Sequence, residues 1–255
     1  MPEIVYTGPS NDRLALPHDC VPPVRCGIVL PPQSKPGQWA PMASSAVEII
    51  PEGDWPAEIE KKADRRHLVW HRYNQRSVGS CASEGCGGGL TFIREVAGLP
   101  RVQFNPWSVY RIVSGGYDRG SSLDANLKQY RDVGVLPESY FPRWGANANR
   151  WNSRPPSGWE EIAQHYRIGE WYYVRNKVEF GSCLLAGHCV YFGYPGHAIL
   201  AVDLVDSDTI LYLNSWGNWG DNGFGTLSWR NVEWGYGAYS TNTPIYSDFV
   251  YGDAA

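Results

Sequence analysis

Three short stretches carry side chains able to do chemistry. The first is NQRSVGSCASEGCGGG, residues 74 to 89, where Cys81 follows Gly79-Ser80 and Gln75 stands six residues upstream. The second is Gly196-His197-Ala198, and the third is Asn214-Ser215-Trp216-Gly217. A cysteine in such a setting can belong to a disulfide framework, a metal site or a nucleophile. The six cysteines (Cys20, Cys26, Cys81, Cys86, Cys183 and Cys189) are too sparse for a disulfide scaffold. None of their spacings is the Cys-x2-Cys of a zinc knuckle. Singly, each stretch has a plain reading: a small buried cysteine, a structural histidine before a strand, a turn. Their joint occurrence, in the order Gln, Cys, His, Asn, carries more weight than any one of them.

That order resembles the papain-like cysteine proteases, over roughly residues 55 to 243. The resemblance implies nucleophilic catalysis with no metal and no cofactor. Only the thiolate of Cys81 attacks well. A helix N-terminus at Cys81 and an imidazolium at His197 would both stabilise it. His197 would then protonate the leaving amine. Asn214 would accept or donate at the far ring nitrogen and fix the ring, as the third group of a triad does. Gln75 would present its NH2 to the oxyanion beside the Cys81 N–H, and one such donor is worth about 3 kcal/mol in the transition state. Trp216 would screen the Asn–His contact from water.

The stretch Asp118-Arg119-Gly120-Ser121 sits where the family has a loop that pairs by backbone with the substrate's second residue. Gly120 and Ser121, with Gly79, Ser80, Gly196 and Trp216, are the expected substrate-binding residues. Val78 and Asp118 replace both cysteines of a bridge usual in the family, a coherent loss that fits a reducing compartment. Between HCVYFG and GHAILAV only a tight hairpin fits, where most relatives carry an excursion that walls the cleft. A more open cleft is expected on that side.

These residues need elements to hold them. Leu90, Phe92, Ile93 and Val96 have helical spacing, which predicts a helix from Ser80 or Cys81 to Gly98. Gly87, Gly88 and Gly89 inside it each cost about 1 kcal/mol relative to Ala, so another element must press close there. PWSVYRIVSG and SSLDANLKQYRDVG read as two more helices, and NKVEFGSCLLAG as a fourth. HCVYFG, GHAILAVDLV, TILYLNSWG and GFGTLSW read as strands. Helices first and strands later predict an α+β, two-lobed papain-like fold. A helical lobe (about 75–160) would carry the nucleophile, and a β-barrel-like lobe (about 161–255) the His and Asn. Residues 1–54 form a Pro-rich extended arm, with one strand expected at Val47–Ile50, and 55–255 form the peptidase domain.

With 255 residues and 43% hydrophobic content, the chain can bury one large core or two packed lobes. A formal charge of −4 without a basic stripe speaks against nucleic acid as a partner, and no apolar run approaches a membrane span. The N-terminal sequence lacks the pattern of a signal peptide, which favours an intracellular or virus-associated protein over a secreted one. The expected function is a cysteine endopeptidase acting on peptide or protein substrates through a thioester. The alternatives are a papain-fold structural or binding module in a larger assembly, for instance a viral particle, or an acyl-transferring ligase that shares the same acyl-enzyme. Such an arm could lie in the cleft as an inhibitor, replace the missing wall or bind a partner; the expected role is packing on the body, as a wall or as a partner-binding element.

Overall fold

The computed structural model describes residues 27–29, 40–143 and 147–252. Most of the expected arm, with Cys20 and Cys26, lies outside the described residues.

The helices are α1 (Trp55–Lys61), α2 (Cys81–Val96), α3 (Pro106–Val113), α4 (Leu123–Asp132), α5 (Glu160–Ala163) and α6 (Lys177–Leu185). Local chemistry sets their ends. Asn105 caps α3 by accepting the Trp107 N–H at 3.1 Å, with Pro106 at the first helical position, where a missing N–H costs nothing. α2 stops where Gly98 takes φ 67° and Leu99 N–H returns to the Arg94 carbonyl.

The strands are β1 (Tyr172–Tyr173), β2 (Cys189–Tyr194), β3 (His197–Asp206), β4 (Thr209–Leu213), β5 (Phe224–Ser228) and β6 (Ala238–Thr241). They form one antiparallel sheet in the order β1-β6-β2-β3-β4-β5. Both of its faces are covered. Tyr191, Ala198, Leu200, Val202, Leu211 and Leu213 join the core shared with α2 and α4. Their neighbours Val190, Phe192, Ile199, Ala201, Ile210 and Tyr212 join a second core with Trp55 of α1 and Phe180 of α6. Alternate residues thus serve opposite cores, which is why these strands read as continuous apolar runs.

The α2 glycines are where the sheet and the neighbouring helices approach. A Cβ at Gly87 would lie 2.8 Å from Pro106, one at Gly88 3.2 Å from Leu213, and one at Gly89 2.1 Å from the Tyr191 hydroxyl. The helix therefore rests on the sheet with Cys81 at its tip.

Val47–Ile50 does not form the expected strand. Val47 N–H instead donates to the Ala43 carbonyl at 3.0 Å, and side chains satisfy Ile50: its N–H donates to Ser182 Oγ at 2.9 Å, and Trp55 Nε1 donates to its carbonyl at 2.9 Å. Residues 40–55 lie against the second core, where Ala43 and Trp55 are fully buried.

Candidate active site

Cys81 is the first residue of α2 and is fully buried. Burial pushes its thiol up to about 11, against the opposing pull of backbone N–H groups at Ala198, Gly27 and Ala82. His197 opens β3 directly after a two-residue turn, Pro195-Gly196, in which Gly196 takes φ 67°. Asn214 follows the end of β4, the strand beside β3, so sheet register brings the two together.

His197 Nε2 lies 2.8 Å from Asn214 Oδ1. The Ser215 N–H donates to the same oxygen at 2.7 Å, which identifies that atom as the acceptor. Nε2 must then carry the hydrogen, and Nδ1 is left as the basic nitrogen. Nδ1 is buried with no hydrogen-bond partner among the described residues. The Trp216 ring stacks on the imidazole, with centroids 4.8 Å apart at 22°. Burial lowers His197 to about 4, with the Asn214 bond opposing. Burial thus favours the uncharged form of each group, the thiol at Cys81 and the neutral imidazole at His197.

Gln75 is fully buried and tightly held. Its Oε1 accepts from Ser215 Oγ at 2.6 Å, its Nε2 donates to the Val78 carbonyl at 2.8 Å, and its N–H donates to the Ser215 carbonyl at 2.9 Å. One end of the Asn-Ser-Trp-Gly stretch thus orients His197 while the next residue orients Gln75. Gly79 N–H donates to Asp118 Oδ1 at 2.8 Å, and Tyr110 Oη donates to the same oxygen at 2.8 Å. Gly120 N–H donates back to Tyr110 Oη at 3.0 Å. Where papain-like relatives usually carry a disulfide, whose loss the sequence predicts, a carboxylate and a phenol join the loops, while Val78 packs on Trp107 and Tyr110.

The cleft between these loops is occupied by the chain itself. Gly27 N–H donates to Cys81 Sγ at 3.3 Å. Ser121 N–H donates to the Gly27 carbonyl at 2.6 Å, and Val29 N–H donates to the Ser121 carbonyl at 3.2 Å. Ile28 and Ser121 thus pair in parallel. Gly27 fits because it has no side chain: a Cβ there would lie 1.7 Å from the Gly79 carbonyl oxygen. A Cβ at Gly120 would lie 2.2 Å from the Gly27 oxygen. The open cleft expected from the short hairpin is, in this form, filled.

Gln75, Gly79, Ser80, Cys81, Gly120, Ser121, Gly196, His197, Asn214 and Trp216 all lie at or beside this cleft. Sequence reasoning missed Gly27, Glu84 and Arg143, whose parts in the site arise only from tertiary contact. Ser215 was present in a quoted motif, and its hydroxyl could have been weighed there.

No known protein-family pattern matches the sequence. No curated protein matches it significantly either. Solved structures do match. Xylellain, a cysteine protease from Xylella fastidiosa, aligns with a TM-score of 0.61 at 19% identity, over 86% of this chain and 96% of that one. A digestive procathepsin L2 proteinase from the Tenebrio molitor larval midgut aligns with a TM-score of 0.61 at 16% identity, over 86% and 78%. A clostridial cysteine protease, determined after propeptide cleavage, aligns with a TM-score of 0.57 at 14% identity, over 71% and 57%. With helices leading into an antiparallel sheet, Cys81 at a helix tip, His197 opening β3 and Asn214 just past the end of β4, this chain has the papain-like fold of those cysteine proteases.

Proposed function

We propose that this protein is a cysteine endopeptidase whose cleft is closed by its own residues 27–29. The observation that carries the peptidase reading is the His197–Asn214 bond, which leaves Nδ1 as base in a site that also holds Cys81. Nδ1 takes the thiol proton as Sγ attacks the carbonyl carbon of the scissile peptide. The negative oxygen of the tetrahedral adduct is met by the Cys81 N–H and Gln75 Nε2. The proton on Nδ1 passes to the leaving amine, and a thioester remains. Water, deprotonated by His197, then releases the carboxylate and restores the thiol.

The closure reading rests on the contacts of Gly27. The Ser121 N–H and carbonyl, expected to hold a substrate's backbone, are taken by the arm. At the contact seen, the arm presents an N–H to the sulfur rather than a carbonyl carbon, which is how a seated arm could remain uncut.

The test uses full-length protein. Gly27→Ala cannot seat beside the Gly79 carbonyl, so it should raise peptide-library turnover and labelling by a thiol-directed epoxide well above wild type. Cys81→Ala in the same background should abolish both. Turnover that survives Cys81→Ala sinks the peptidase reading. Equal rates for wild type and Gly27→Ala sink the closure.

A further inference from the structure

Arg143 and Glu84 are an ion pair buried within the molecule, with side chains 4% and 0% exposed. Arg143 Nη2 donates to Glu84 Oε1 at 2.9 Å, and Nη1 donates to Oε2 at 3.3 Å. The same Nη2 donates to the Asn74 carbonyl at 2.9 Å, the peptide that leads into Gln75. On the other side, Ser80 Oγ donates to Glu84 Oε1 at 3.1 Å, and Ser80 leads into Cys81. Trp107 closes the group. Its Nε1 donates to Ser80 Oγ at 3.1 Å, and its ring lies 4.2 Å under the Arg143 guanidinium. Glu138, 3.9 Å from Arg143 Nε, is the other charge on the guanidinium.

We propose that this pair positions the two oxyanion donors, resting on the peptidase reading above. Gln75 and Cys81 are already linked through Val78, whose carbonyl accepts from both Gln75 Nε2 at 2.8 Å and the Ser80 N–H at 2.8 Å, and the ion pair braces that short loop from outside. One guanidinium–carboxylate pair reaches within one residue of each. A buried ion pair is a poor device for stability, since its desolvation cost rivals its attraction, but it fixes geometry well. A small displacement of an aligned donor is costly in rate, while substrate binding and the thiol's own reactivity are left alone. The role is one of positioning, because neither side chain reaches the reacting atoms.

Arg143→Lys keeps the charge and loses the fork that spans Glu84 and Asn74. In the full-length Gly27→Ala background, it should lower kcat on a peptide amide by about tenfold or more, with KM nearly unchanged. Alkylation by iodoacetamide, which forms no oxyanion, should keep its rate. Amide hydrogen exchange across residues 74–80 should quicken while the rest of α2 is unaffected. Glu84→Gln, which keeps an acceptor for Ser80, should give a smaller loss of the same kind. An unchanged kcat overturns the proposal, and so does a parallel fall of kcat and alkylation, which marks general damage. Should Gly27→Ala itself fail to hydrolyse peptides, the peptidase reading falls. The exchange measurement then decides the brace alone, and unchanged exchange in Arg143→Lys overturns it.

Discussion

At the scale of residues, two side-chain oxygens of the site, Asn214 Oδ1 and Gln75 Oε1, owe their fixed orientation to one neighbour. That neighbour is Ser215, with its N–H on Asn214 Oδ1 and its hydroxyl on Gln75 Oε1. Ser215→Ala should therefore weaken oxyanion stabilisation by freeing Gln75, with a smaller effect than Gln75→Ala. For Gln75→Ala itself, kcat should fall by about 100- to 1,000-fold, the usual cost of one oxyanion donor. Steady-state kinetics in the Gly27→Ala background checks both. The candidates Gln75, Cys81, His197 and Asn214 could be singled out because the chemistry proposed for them demands particular residue types in a particular order. Glu84 and Arg143 were not, because a buried ion pair between residues 59 positions apart leaves no local pattern. Gly27 was hidden for the opposite reason: its role is to have no side chain.

Among the elements, α2 shows how far sequence reasoning reaches. Its span followed from apolar spacing, and its three glycines predicted close packing that Pro106, Leu213 and Tyr191 supply. Gly89→Ala would force a methyl group into the Tyr191 ring, and overpacking of this kind costs about 1–3 kcal/mol. A lower midpoint in thermal or urea unfolding, together with slower turnover as the tip of α2 shifts, is the expected outcome. The four main strands were legible from apolar runs, but not which residue faced which core, since both faces are buried. Val47–Ile50 misled because alternation alone does not supply a strand partner, and Ser182 and Trp55 satisfied Ile50 instead.

For the molecule as a whole, closure is expected to couple to protonation, because opening the cleft would return water to a buried thiol and a buried imidazole. His197 is held near 4 in the closed form, below the ordinary value of 6.5. A group so lowered favours the closed form fully above pH 6.5, and that contribution is lost as pH falls towards 4. The shift corresponds to at most about 3 kcal/mol. Cys81 acts at the other end: raised to about 11, it favours closure below its ordinary 9 and withdraws that support as pH rises towards 11. Alkylation of wild type, corrected for thiolate fraction and compared with Gly27→Ala, should converge on the variant's rate as pH drops from 6.5 to 4. A constant ratio across that range would count against the coupling.

The Gly27 contact has a consequence for how activity would first arise. An N–H, not a carbonyl carbon, faces the sulfur there, so the seated arm is not offered for cleavage at that contact, and its trimming is expected to fall to a neighbouring molecule that has already opened. Onset should then show a lag that shortens as protein concentration rises, and a trace of Gly27→Ala should seed it, as in an autocatalytic reaction of second order.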